Sequence, residues 1–114
     1  KIYEEKIAYF PDGYRKLSDD VVSPRALKHV QELTQIAQNT KTRAILCFVV
    51  QRSDVSRFQP SNIDMQYKRA VQDAWMKGVE IRCIQVYWNA QGVCSFIRDT
   101  IPIHIFDTYG PYQL

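Results

Sequence analysis

Residues Gln51-Arg52-Ser53-Asp54 follow directly on Arg43 to Val50, a stretch almost free of polar side chains. A glutamine, an arginine and a carboxylate thus leave the C-terminal end of a candidate buried strand. If the strand continues, Gln51 and Arg52 point to opposite faces. Glutamine can orient a water or contact a base edge, and the rigid guanidinium fork of arginine can clamp a phosphate. The alternative for Arg52 is a pair with Asp54 or Asp64 that pins the loop. Arg25, Lys28 and His29 form a second group. Arg25 shares a helix face with Lys28 and with His29, at three- and four-residue spacing. Arg25 and His29 could reach one phosphate together, or they could mark a solvated face with the histidine at the border of the core. Asp12, after Phe10-Pro11, could hold a metal or cap the loop that follows. In Arg57-Phe58 the ring could stack on a base or anchor a loop onto the core.

Other chemistries are excluded. The chain has no GxSxG elbow, no glycine loop ending in GK[ST] and no HExxH. Its two histidines, His29 and His104, lack the spacing of a metal pair. Four glycines in all are too few for a backbone phosphate cradle. Cys47, Cys83 and Cys94 form no CxxC, and their odd number argues against a disulfide framework. We expect buried thiols of a reducing compartment, hence a cytoplasmic protein.

The elements that must position these side chains are legible in outline. Ile7-Ala8-Tyr9-Phe10 reads as a short strand stopped by Pro11. Ser23-Pro24 opens a helix over residues 23–38, serine as cap and proline at the first helical position. Leu27, Val30, Leu33 and Ala37 make its apolar stripe. Ala44 to Val50 reads as the central strand of the sheet, buried on both faces because no alternation is visible. Residues 51–63 read as a loop. Asp64 caps a second helix whose inner face is Tyr67, Ala70, Val71, Ala74 and Trp75, and Gly78 closes it. Val79 to Tyr87 is a strand, Asn89 to Gly92 a turn that leaves Trp88 at the hairpin, and Val93 to Ile97 the returning strand. Ile101 to Phe106 is a short edge strand, a place that suits Pro102. The order of elements predicts an α/β domain, a mixed sheet with flanking helices. Strand C-terminal ends are where ligands gather in such sheets, which accounts for the polar residues after Val50.

With 114 residues, the chain is expected to form one domain. Hydrophobic residues at 46% and charged residues at 24% fit a globular domain. A net charge of +3 permits contact with nucleic acid without arguing for it. No apolar run reaches the roughly 18 residues of a membrane span, no signal-peptide pattern is visible, and the sequence does not start with Met. The expectation is a fragment with no membrane partner and a capacity for homo-oligomers.

Four segments resemble the C-terminal domain of the sugar fermentation stimulation (SfsA) family: AYFPD at 8–12, SPRALKHVQEL at 23–33, AILCFVVQRSDVSRFQP at 44–60 and IDMQYKRAVQDAWMKGVEI at 63–81. The resemblance implies a restriction-endonuclease-like domain that follows an oligonucleotide-binding barrel. It also implies DNA as partner and a nuclease that hydrolyses phosphodiesters with Mg2+. Carried over, Asp12 is the FPD aspartate, near the metal. Arg25, Lys28 and His29 are the basic helix positions, and Gln51, Arg52 and Asp54 come from the Q-R-x-D segment. Phe58, Pro60, Asp64 and Tyr67 follow as architecture. The implied catalytic set is Asp12, Gln51 and Lys28, and the DNA contacts are Arg25, Lys28, His29, Arg52 and Arg57. Two features depart from the family: the link from Gly13 to Val22 is longer, and Ala26 stands where a glycine is common. The nuclease pattern also needs an aspartate and an E-x-K before FPD. Glu4-Glu5-Lys6 stands too near Phe10 to serve, so those groups are expected upstream and the fragment alone is expected to be catalytically incomplete. The alternatives are a non-enzymatic DNA-binding or regulatory module and a protein-interaction domain.

Overall fold

The computed structural model describes residues 6–11 and 21–106. The elements run β1 (Ile7–Phe10), α1 (Pro24–Asn39), β2 (Ile45–Val50), β3 (Arg57–Pro60), α2 (Met65–Met76), β4 (Glu80–Trp88) and β5 (Cys94–Arg98). β1 and β3 pair in parallel. In the second sheet β4 is central, parallel to β2 and antiparallel to β5.

Local chemistry explains the helix ends. Ser23 Oγ accepts the Ala26 N–H at 3.2 Å and Pro24 opens α1. Asp64 caps α2 by accepting the Tyr67 N–H at 3.0 Å. Its other oxygen accepts the Val22 N–H at 2.8 Å, so one buried carboxylate ties the entry of α1 to the start of α2. After α2 the chain reverses through Gly78 at φ 102°, a conformation that favours glycine. α1 packs against α2 with Val30 buried, and α2 turns Tyr67, Val71 and Ala74 inward. Phe48 lies on Phe58 with ring centroids 4.3 Å apart, and Phe10 meets Tyr67 at 5.3 Å. Apolar contacts from both helices and both sheets therefore meet in one core cluster.

Four expectations are corrected. β2 is an edge strand of its sheet and β4 takes the central place. Phe48 and Val50 are buried, while Ile45, Cys47 and Val49 on the opposite face are exposed. The missing alternation reflects apolar residues on a face that no described element covers, not burial on both sides. Second, Arg57 and Phe58 do not lie in a loop. They belong to β3, a strand of four residues whose alternating burial is too brief to stand out. Third, only Cys83 is a buried thiol, whereas Cys47 and Cys94 are exposed. Fourth, the segment from Ile101 makes an isolated parallel bridge, Phe58 to Ile103, in place of the expected strand, with Ile101, Ile103 and Ile105 buried. No described helix is long and apolar enough to cross a membrane.

Two outcomes follow from these contacts. Asp64→Ala removes a cap and strands the Val22 N–H, so denaturant unfolding should show a loss of about 2 kcal/mol. Asp64→Asn keeps one acceptor and should lose about half as much. Burial pushes the Cys83 thiol up to about 11, with a smaller push from Cys47. A thiol reagent at neutral pH should therefore label Cys47 and Cys94 in the native protein, and Cys83 only after unfolding.

Candidate nucleic-acid interface

A cleft of about 860 Å³ opens between β1 and the free edge of β2. Ile7–Phe10 form one wall, and the chain from Leu46 to Arg52 forms the other. Ala26 and His29 reach it from α1, and Ser61–Ile63 close one end. Most of the lining is apolar. Gln51 and Arg52 supply polar groups where β2 ends, His29 supplies one from α1, and Ser61 and Asn62 are also polar.

The polar rim is held in place by hydrogen bonds. Gln85, on the central strand and fully buried, donates from Nε2 to the Arg52 carbonyl at 2.7 Å and the Val55 carbonyl at 3.3 Å. Its Oε1 has no hydrogen-bond partner among the described residues. The Arg52 guanidinium grips Asp54 with two bonds, Nε to Oδ1 at 2.9 Å and Nη2 to Oδ2 at 2.8 Å. Lys6 Nζ adds a third contact to Asp54 at 3.0 Å. The Ser56 N–H then donates to the Lys6 carbonyl at 2.9 Å, which ties the loop to the entry of β1. The Arg52 bonds, and next the Lys6 bond, hold the Asp54 carboxyl well below the usual carboxylate range. Arg52 stays protonated for the same reason. Trp88 Nε1 donates to Gln51 Oε1 at 2.9 Å.

The side chains singled out by sequence separate into groups. Gln51, Arg52 and His29 share the cleft. Arg25 and Lys28 are exposed on α1 but do not line it, and Lys28 Nζ sits 3.8 Å from Glu32 Oε1. Arg57 is partly buried in β3. Phe58 is a core ring against Phe48 and not an exposed stacking surface. Asp54 holds Arg52, Asp64 holds two helix starts, and Tyr67 packs beneath Phe10. Asp12 lies outside the described residues. Sequence reasoning missed Gln85, Trp88 and Lys6 as supports of the rim. A glutamine amid Cys83, Ile84 and Val86 was the available signal, since a polar side chain in such a run needs a buried partner.

A divalent cation asks for several oxygen ligands at one place. Among the described residues, no three His, Cys, Asp or Glu side chains come together in that way. Asp54 is the carboxylate adjoining Gln51 and Arg52, and it is committed to two cations. The described side chains by themselves do not fit a metal centre.

The arrangement of parallel strands and flanking helices, with polar residues at the end of β2, is a mixed α/β sheet of the restriction-endonuclease-like class. The family described as "Sugar fermentation stimulation protein RE domain" matches residues 2–92, and the chain belongs to that family. The structure is similar to that of Pyrococcus furiosus SfsA in complex with Ca2+, with a TM-score of 0.72 and 25% sequence identity. The match covers 90% of this chain and 41% of that one, so this chain spans less than half the length of that relative.

The ion contacts predict a specific titration. A folded-state value below the unperturbed 3.8 means the contacts of Asp54 are fully formed above that value and are lost as pH falls through the depressed one. Carboxyl carbon shifts should show Asp54 titrating well below 3.8, with Arg52→Ala raising the midpoint more than Lys6→Ala does.

Proposed function

We propose that this chain is the DNA-binding part of an SfsA-family protein and forms its single C-terminal domain, with the phosphodiester backbone lying along the cleft. The observation that carries the reading is the convergence of Gln51, Arg52 and His29 on one open cleft at the C-terminal end of a parallel strand. Arginine offers five donors in a plane, and Asp54 occupies only one side of that fork. The remaining donors are free to meet a phosphate. His29 adds a donor from α1, while Arg25 and Lys28 extend the basic surface of that helix outside the cleft. Arg57, half-buried behind the rim, is the most peripheral of the proposed contacts.

The finer reading is that the protein cleaves the DNA by metal-assisted hydrolysis, with Mg2+ and with Asp12, Gln51 and Lys28 in the catalytic set. The family resemblance supports it, and so does a relative solved with Ca2+. A second reading, binding without cleavage, is favoured by the commitment of Asp54 to Arg52 and Lys6. Incubating supercoiled plasmid with the full-length protein, with and without magnesium, separates the two.

For binding itself, Arg52→Ala should weaken affinity about equally across DNA sequences and reduce the slope of log affinity against log salt by about one. Unchanged affinity and slope would remove Arg52 from the interface.

A further inference from the structure

Gln51 enters the reading above with its role open, since an amide can accept through its oxygen or donate through its nitrogen. The structure decides between these ends. β2 and β4 run parallel, with Val50 opposite Gln85. Gln51 directly follows the last residue of β2. An irregularity between Gln85 and Val86 breaks the simple alternation of β4, which ends at Trp88. The Trp88 indole N–H donates to Gln51 Oε1 at 2.9 Å. An indole nitrogen can only donate, so the amide oxygen must be the atom that faces it. The amide nitrogen, with two donors, makes no hydrogen bond among the described residues. Gln51 lines the cleft and Trp88 remains half exposed beside it.

We infer that Trp88 is a positioning residue that fixes Gln51 as a hydrogen-bond donor, so that Gln51 recognises an acceptor oxygen of the DNA backbone next to Arg52. This rests on the DNA-binding reading and narrows it. A guanidinium and an amide NH2 lining one cleft both offer donors, which suit non-bridging phosphate oxygens. They do not suit the exocyclic amino groups of adenine or cytosine, which are donors themselves. Donors also fit guanine O6 and N7, adenine N7 and thymine O4, so a backbone contact requires equal affinity for duplexes of different base content, and a wild-type preference for guanine-rich duplexes would overturn it. The Gln51 oxygen, held by the indole, is not the atom that orders an attacking water.

The test turns on sign. Gln51→Ala removes the donor, and Gln51→Glu replaces it with an acceptor-only carboxylate of the same shape. Affinity is measured by fluorescence anisotropy on labelled duplexes that differ in base content. Gln51→Ala should weaken binding roughly tenfold, as expected for a bond to a charged group. Gln51→Glu should weaken it further, by at least another roughly threefold, through repulsion of the phosphate. Trp88→Phe keeps the ring but removes the N–H. It should cost part of the Gln51→Ala loss and add nothing to the Gln51→Ala variant. Gln51→Glu binding as well as wild type, or gaining a preference for cytosine-rich duplexes, would overturn the inference. So would a Trp88→Phe loss that adds in full to that of Gln51→Ala.

The premise has its own readout without DNA: the indole N–H resonance of Trp88 should shift and exchange faster in Gln51→Ala. A resonance that stays in place sinks the inference even if DNA binds. Absence of any duplex binding by the wild type at low salt, with the indole bond intact, overturns the DNA-binding reading and this inference together.

Discussion

The site depends on where the chain goes after Val50, and the buried amide of Gln85 decides it. A loop that leaves a sheet must satisfy each backbone carbonyl it turns away from water. Here the Arg52 and Val55 carbonyls both take their donor from Gln85 Nε2. Gln85 sits on the central strand, in register with Val50, and is fully buried. The strand that is hardest to displace therefore holds the loop from behind. A leucine there would suit the apolar neighbours but would leave two carbonyls without their donor, and a lost partner in the interior costs about 1–3 kcal/mol for each group. The polar residue in the core is what allows polar residues at the rim.

The rim's electrostatics express a compromise. Asp54 takes two of the donors of Arg52 and one contact from Lys6. All three side chains are substantially exposed, so the pairs add little to global stability in water. Their effect is local. They hold a flexible arginine in one orientation before any ligand arrives, which lowers the entropy lost on binding. They also lower the net positive charge of the cleft, so an incoming anion meets a directed fork of donors more than a strong general field.

How much of this was legible depends on whether a signal was local. Both helices could be placed from Ser23-Pro24, Asp64, Gly78 and the apolar spacing, because caps and stripes are short-range features. The rim residues could be picked out because Gln51 and Arg52 break an apolar run. Reading β2 as doubly buried failed because an apolar run shows what could be covered, and only tertiary structure shows what is. β3 was lost because four residues with one proline offer no period to detect. Gln85 and Trp88 could be seen as residues but not as supports, since their partners lie 33 and 37 positions away. The resemblance to SfsA supplied the family and the expectation of DNA as partner. It could not supply which end of the Gln51 amide faces the cleft, because that is set by a single indole N–H across the sheet.

The same distinction explains the placement of α1 beside the cleft. Its stripe and cap make it a helix, but neither says where it starts in space. That is set by Asp64, whose second oxygen takes the Val22 N–H just ahead of the Ser23 cap. Ala26 and His29 are in the first two turns of α1 and line the cleft, so their position follows from a carboxylate whose other oxygen begins α2. Tyr67, the residue bonded to that other oxygen, packs beneath Phe10 on the opposite wall. The cleft's two sides are thus referred to a single buried group. A substitution there should alter the distance between His29 and the β1 wall as well as helix stability. Loss of stability and loss of ligand contact should appear together at Asp64, and separately at Gln51 or Arg52, which carry no core packing.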